Sequence, residues 1–231
     1  MDVSILIPAY NEAESIVQTV QRLLSCMGSQ ERSFEILICD DGSRDDTANV
    51  IAALGDPRVY FVGGAHTGKG GALARGVARA EGKWIFYTDA DLAYGTDVIE
   101  QFLSALEQGR GELVLGSRLL HKQGYAGYSF PRRVFSKAYQ GALRLLGGID
   151  AGDPQCGCKA YTARSAKEMF ADLSELGFAF EQETLLKAKR AGYSVCELPV
   201  RIISNGESHV RPLRDGLSML RAARRTRRKY K

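Results

Sequence analysis

Apolar positions along this chain fall into two alternating rhythms. Val3-Ser4-Ile5-Leu6-Ile7-Pro8 is a short apolar run closed by proline, the pattern of a buried strand. Ile16, Val17, Val20, Leu23, Leu24 and Met27 then recur at helical spacing. Asn11 is the expected cap of that helix, with Glu14 three residues later as in a capping box. The same alternation predicts strands at 34–39, 59–62, 83–88 and 113–116, with helices at 45–54, 68–80 and 97–108 between them. The second half predicts helices at 131–146 and 178–191, strands at 158–162 and 194–203, and a last helix from 212 to the end. Such β-α-β-α alternation implies an α/β fold, a mostly parallel sheet with helices on both faces.

A chain of 231 residues fits one such domain, and no repeat or low-complexity linker divides it. The charge does divide it. Residues 211–231 carry +8 of a total of +4, which leaves −4 on residues 1–210. The expected organisation is a main body over 1–210 and a basic amphipathic helix over 211–231, either part of that body or laid on a membrane surface. In that helix Leu213, Leu217, Met219 and Leu220 form the apolar stripe, among Arg214, Arg221, Arg224, Arg225, Arg227, Arg228, Lys229 and Lys231. Five cysteines, an odd number without zinc-finger spacing, argue against a disulfide framework. Cys156 and Cys158 lack a second pair or a nearby histidine, so they read as reduced and structural. The chain enters its first strand without a basic leader, and no apolar run nears the ~18–20 residues that span a bilayer. The expectation is a cytoplasmic protein, either peripheral on an anionic membrane face or reliant on a separate membrane subunit as a partner.

Ligands on open parallel sheets bind at the carboxyl ends of the strands. Three polar loops fall there: Pro8 to Glu12, Asp40-Asp41-Gly42-Ser43, and Asp89-Ala90-Asp91 after the apolar run Trp84-Ile85-Phe86-Tyr87-Thr88. On a strand, residues i and i+2 share a face. Asp89 and Asp91 are therefore spaced to meet one hard cation, Mg²⁺ or Mn²⁺, that also holds substrate phosphates.

In order and spacing, Ser4-Ile5-Leu6-Ile7-Pro8-Ala9-Tyr10-Asn11-Glu12, Asp40-Asp41-Gly42-Ser43, Gly68-Lys69-Gly70 and Asp89-Ala90-Asp91 resemble the family 2 inverting glycosyltransferases of GT-A fold. Leu115-Gly116-Ser117-Arg118, Asp153-Pro154-Gln155-Cys156-Gly157, Phe180-Glu181 and Gly206-Glu207-Ser208-His209-Val210 resemble its polyprenyl-phosphate branch, which includes dolichyl-phosphate mannose synthases and dolichyl-phosphate β-glucosyltransferases. The resemblance implies that Pro8, Ala9, Tyr10 and Glu12 line the nucleotide loop, with Glu12 accepting from ribose hydroxyls. It implies that Asp41, with Gly42, contacts the base and that Lys69 lies by the base or diphosphate. Asp89, Ala90 and Asp91 would hold the donor, Asp89 and Asp91 being the metal ligands. Ala93 stands where the family often has Gln, so one metal contact is missing. Arg118, Arg132 and Ser136 match positions that hold the acceptor phosphate; Gln155, Arg201 and His209 would add contacts.

The implied reaction moves a hexose, from a donor of the GDP-mannose or UDP-glucose type, to a polyprenyl phosphate with inversion. An ionised phosphate acceptor needs no general base; a soluble hydroxyl acceptor would, and Asp153 is then the expected base. Three rivals fit worse. Gly63 to Gly70 lacks the terminal hydroxyl of a phosphate-binding P-loop. A nucleotidyltransferase would carry a glycine-rich basic loop after the first strand. A nucleic-acid partner is not expected, because the acidic strand-end loops would repel phosphates unless a metal sat there.

Overall fold

A computed structural model describes residues 1–126, 128, 130–149, 151–203 and 212–230. The first half alternates as its apolar runs predict: β1 (Val3–Ala9), α1 (Ile16–Gly28), β2 (Phe34–Asp40), α2 (Thr47–Ala52), β3 (Val59–Val62), α3 (Lys69–Arg79), β4 (Trp84–Thr88), α4 (Val98–Glu107) and β5 (Leu113–Ser117). Then come α5 (Phe130–Gly147), β6 (Cys158–Thr162), α6 (Ala163–Phe170), α7 (Phe180–Ala191), β7 (Val195–Pro199) and α8 (Pro212–Lys229).

The strands form one seven-stranded sheet in the order β3-β2-β1-β4-β6-β5-β7. Six run in one direction; β6 alone is antiparallel to its neighbours β4 and β5. Side chains alternate across the sheet, as a period of two requires. Ile5, Ile7, Phe86 and Val114 pack with Ile16, Val20 and Leu23 of α1 and with Ile99, Phe102 and Leu103 of α4. Leu6, Leu37, Tyr87, Leu115 and Tyr161 face Leu73 and Val77 of α3, Met169 of α6 and Phe180 of α7. Both faces are covered, which is why the central strands read as continuous apolar runs.

Three local features depart from expectation. α1 starts at Ile16 with Ser15 before it, not at Asn11. Asn11 instead takes a left-handed backbone (φ 56°), and its Oδ1 accepts from the Arg44 N–H at 2.8 Å, joining two loops. The antiparallel direction of β6 has no counterpart in the periodicity. Helix α6, with the Thr162 hydroxyl accepting from the Ser165 N–H at 3.1 Å, follows its strand without a loop.

The described side chains of α8 pack on the body of the protein. Ala222, Ala223 and Thr226 are buried, and the helix lies against α5 and α7. Arg225 pairs with Glu175, and the Tyr230 hydroxyl donates to Glu183 at 2.8 Å. Arg221, Arg224 and Arg228 stay exposed. The side chains of Leu213, Leu217 and Met219, three of the four residues of the expected stripe, and that of Arg214 lie outside the described residues. No helix among the described residues is long and apolar enough to cross a membrane.

Candidate active site

Because β1, β2, β3, β4, β5 and β7 run in parallel, their carboxyl ends share one edge of the sheet. The reversed β6 brings its amino end there, with Cys158 paired to Thr88. Seven segments therefore meet at this edge, 8–12, 40–43, 63–69, 89–93, 117–118, 153–157 and 200–203.

At one end the acidic turn after β2 is built as a frame. Asp40 accepts from the Gly42 and Ser43 N–H groups at 2.9 and 3.0 Å, an Asx turn. Gly42 has φ +76° and faces the His66 backbone so closely that a Cβ would stand 2.8 Å from its nitrogen. Asp41 is buried and accepts from the Thr67 and Gly68 N–H groups at 2.8 and 2.9 Å, with His66 Nδ1 2.9 Å from its Oδ2. The expected base contact would thus share a carboxylate already engaged by the 66–68 loop. What that loop presents is the His66 ring, with Tyr10 at 4.5 Å between centroids. Tyr10 is exposed; Pro8 and Ala9 lie beneath it at the end of β1. Glu12 anchors the same loop through its backbone, its N–H donating to the Thr47 hydroxyl at 3.0 Å. His66 was not among the residues the sequence singled out as ligands.

In the middle, Lys69 Nζ lies 2.6 Å from Asp89 Oδ1. Burial alone would lower the Lys69 pKa; the charges of Asp89 and Glu181 outweigh it and raise it. Lys69 is therefore a fixed cation beside the acidic pair. Asp91, two residues on, accepts from the Ala93 N–H at 3.0 Å. Partial loss of water and then the charge of Asp89 raise its carboxyl above the ordinary range, with Glu12 adding to the effect. Thr19 of α1 donates to the Ala90 carbonyl and fixes the loop between them. The groups at this point are hard oxygens, and their mutual repulsion is what a divalent cation relieves. Asp89 and Asp91 thus fit Mg²⁺ or Mn²⁺ as two carboxylates of a site completed by substrate phosphates. Among the described residues no three or more His, Cys, Asp or Glu side chains cluster to form a closed cage.

At the other end Arg118 and Asp153 form a buried bidentate pair, Nε to Oδ2 at 2.6 Å and Nη2 to Oδ1 at 2.8 Å. The Arg118 N–H also donates to Oδ2 at 3.1 Å, and Gln140 Nε2 to Oδ1 at 2.7 Å. Tyr125 completes the cluster, its hydroxyl 3.0 Å from Gln140 Oε1 and its ring under the guanidinium at 5.4 Å. Asp153 is 1% exposed with both oxygens occupied, an arrangement unlike that of a base poised for a substrate proton. Ser136 is half-buried in α5. Arg132 occupies the first turn of α5, but its side chain and all of His209 lie outside the described residues. Arg201 is exposed on a segment that crosses the edge: the Val200 N–H donates to the Ser117 carbonyl at 3.2 Å and the Ile203 N–H to the Ala93 carbonyl at 2.8 Å. Gln155 is half-buried, with its Nε2 lacking a partner among the described residues.

The two ends are joined by the turn from Asp153 to Gly157. A Cβ at Gly157 would stand 2.0 Å from Asp89 Oδ2. Beneath, Lys159, Glu181 and Tyr87 form a buried polar cluster. None of these three was expected in the site, although Phe180-Glu181 was one of the motifs behind the resemblance.

Comparison with known proteins agrees with this fold. The glucosyl-3-phosphoglycerate synthase of Mycobacterium tuberculosis, solved with Mn²⁺, UDP and glucosyl-3-phosphoglycerate, has the same fold. Its TM-score is 0.72 at 22% identity, covering 99% of this chain and 79% of that one. The glycosyltransferase AglD of Haloferax volcanii is 32% identical over 95% of this chain, and the dolichyl-phosphate β-glucosyltransferase ALG5A of Trichomonas vaginalis is 30% identical over 85%. The chain spans 36% of the length of AglD and 64% of that of ALG5A. The sequence profile of glycosyl transferase family 2 matches residues 4–170, most of the chain, and the chain belongs to that family.

Proposed function

We propose that the protein is an inverting glycosyltransferase that moves a hexose from a nucleotide diphosphate sugar to a polyprenyl phosphate. The observation that carries this reading is the division of the sheet edge. One end gathers Lys69, Asp89 and Asp91; the other gathers Arg118 and then two exposed apolar side chains, Leu119 and Leu120. The first suits a diphosphate with its cation, the second a phosphate on an apolar chain. The names of the relatives support the acceptor class: ALG5A is a dolichyl-phosphate β-glucosyltransferase, and an undecaprenyl-phosphate transferase of Shewanella sediminis is 30% identical over 72% of this chain.

In this reading an acceptor phosphate oxygen attacks the anomeric carbon as the bond from that carbon to the donor diphosphate breaks. The electron pair leaves on the diphosphate. Lys69 holds a positive charge where that negative charge grows, and it is already oriented by Asp89, so little reorganisation is required. A cation bound at Asp89 and Asp91 would supply further charge neutralisation at the diphosphate. Tyr10 and His66 flank the base end, and Glu12 takes the ribose. Arg118 orients the acceptor phosphate with its remaining N–H groups, while Asp153 holds the guanidinium in place. Arg132, Ser136, Arg201 and His209 add phosphate contacts from α5 and from the segment after β7.

The same residues bear on the alternative acceptor. A soluble hydroxyl would need its proton removed, and the buried, doubly occupied Asp153 is poorly placed to do so. Exposed Phe130 (77%), Val134 and Leu145 on α5, beside Arg133, Lys137 and Arg144, suit contact with an anionic bilayer in which a polyprenyl phosphate resides.

The test is incubation with Mg²⁺ or Mn²⁺, a short polyprenyl phosphate and a panel of GDP-mannose, UDP-glucose and UDP-N-acetylglucosamine, read by mass spectrometry. One metal-dependent glycosyl phospholipid, absent with Asp91→Ala, supports the reading and names the sugar. Donor binding without lipid product, but with transfer to a soluble hydroxyl, overturns the acceptor class.

A further inference from the structure

The buried ammonium of Lys159 has no place in the chemistry above, yet it lies beneath the donor site, bonded to Tyr87 of β4 and to Glu181 of α7. Lys159 is the second residue of β6 and is 0% exposed. Its cross-strand partner on β4 is Tyr87, which lies two residues before Asp89. Nζ donates to three acceptors: the Cys156 carbonyl at 2.7 Å, the Tyr87 hydroxyl at 3.0 Å, and Glu181 Oε2. The Tyr87 hydroxyl in turn lies 2.6 and 2.7 Å from the Glu181 oxygens and donates to that carboxylate. Every proton of the ammonium is used, as a buried cation requires.

Each arm ends at a residue of the site. Through Cys156 the ammonium fixes the turn in which Gly157 abuts the Asp89 carboxylate. Through the hydroxyl it fixes the Tyr87 ring, and the Lys69 ammonium sits over that ring at 5.6 Å. Glu181 closes the triangle from α7, and its neighbour Phe180 packs against Gly70, so that a Cβ there would stand 2.5 Å from the Phe180 Cβ. Gly70 directly follows Lys69 at the start of α3. The two walls come from β4 and α3, and the cluster lies beneath both.

We infer that Lys159 is a positioning residue, which with Tyr87 and Glu181 holds Asp89 and Lys69 in register for the donor diphosphate. This rests on the proposed glycosyl transfer and concerns only its donor end. The base end, framed by Asp40 and the 66–68 loop, shares no hydrogen bond with the cluster among the described residues.

That separation makes the test. A buried ion pair replaced by apolar groups of similar volume often leaves stability unchanged. The triple variant Lys159→Met, Glu181→Leu, Tyr87→Phe therefore separates stability from positioning. Tyr87→Phe alone keeps the ion pair and the ring and removes only the hydroxyl. Titration calorimetry with Mn²⁺ plus UDP or GDP reads the donor end; UMP or GMP reads the base end. Expected for the triple variant is a loss of about 10–100-fold in diphosphate affinity, the effect usual for groups that orient metal ligands, with monophosphate affinity held within about twofold. Tyr87→Phe should show a smaller loss with the same selectivity, and it decides the matter if the triple variant does not fold. Diphosphate affinity equal to wild type, or equal losses for both nucleotides, overturns the inference. A wild-type protein that binds neither diphosphate overturns the proposed function as well.

Discussion

Gly157 and Asp89 touch so closely that any side chain at 157 would occupy the place of the carboxylate: the added Cβ would lie 2.0 Å from Oδ2 and 2.8 Å from Cγ. Gly157 does not have a left-handed backbone, so alanine fits the chain and only the contact is lost. The Asp89 side chain is partly exposed and can rotate away into water. Gly157→Ala should therefore cost little stability, yet pull Asp89 from Lys69 and from the proposed metal position. A displacement of about 1 Å at a reacting centre costs on the order of 10²-fold in rate. Steady-state kinetics beside a thermal melt check this. Gly141→Ala is the control: nothing lies within 4 Å of its added Cβ on the exposed face of α5. It should stabilise by roughly 0.5–1 kcal/mol with activity unchanged.

Arg118 depends on Asp153 for its position and for the neutralisation of a charge that is 8% exposed. Asp153→Asn keeps the shape but leaves the guanidinium buried without its counter-ion. Removing one partner of a buried pair costs about 3–5 kcal/mol. In a chain of this size each kcal/mol is about 2–4 °C, so the melting temperature should fall by roughly 6–20 °C. A catalytic base would behave otherwise, with kcat lost and the melting temperature unchanged. That second outcome would restore Asp153 as the base of a hydroxyl-acceptor reaction.

The sequence carries those features that depend on near neighbours. Asp89 and Asp91 could be recognised because i and i+2 share a face at a strand end. The alternation of β1 to β5 with α1 to α4 could be read because each strand is a short apolar run and each helix a longer periodic one. Asn11 misled because its side chain serves a loop 33 residues away in place of its own helix. The direction of β6 was hidden because strand polarity is a property of pairing, not of composition. Lys159 meets Tyr87 across 72 residues and Arg118 meets Asp153 across 35, so neither contact leaves a trace in local spacing. A charged residue inside a buried strand was the available signal for Lys159, and it pointed to a partner without naming one.

Glu183 ties the end of α8 to α7. It is 0% exposed and accepts from the Ser174 and Glu175 N–H groups at 2.9 and 2.8 Å, from the Ser174 hydroxyl and from Tyr230. Burial alone would raise its carboxyl; the backbone donors of Ser174 and Glu175 outweigh that and hold it below the usual range. A depressed folded pKa contributes stability that is present above the unfolded value, about 4.3 for Glu, and is lost as pH falls through the folded value. Glu183→Gln should therefore destabilise by about 2 kcal/mol at neutral pH. The gap to wild type should close below about pH 4. Denaturant unfolding at a series of pH values measures both. A gap independent of pH would mean that packing, not the ionised carboxylate, is what Glu183 supplies.

Cys156 and Cys158 flank Gly157, and their spacing invites a reading as metal ligands or a redox pair. The structure gives them another character. Both are 0% exposed, as is Cys39. Burial pushes the Cys39 thiol up to about 12 and that of Cys156 to about 11, and it raises Cys158 as well. The thiolate is the nucleophile, so at pH 8 these three hold almost none of the reactive form. Cys26 and Cys196 are only partly buried. Iodoacetamide at pH 8 should therefore alkylate Cys26 and Cys196 in the native protein and all five cysteines after denaturation, as read by peptide mass mapping. Since Cys156 belongs to the turn that abuts Asp89, native labelling at Cys156 would mean that this turn opens in solution. The restraint on Asp89 would then be weaker than its geometry requires, and Gly157→Ala should lose correspondingly less activity.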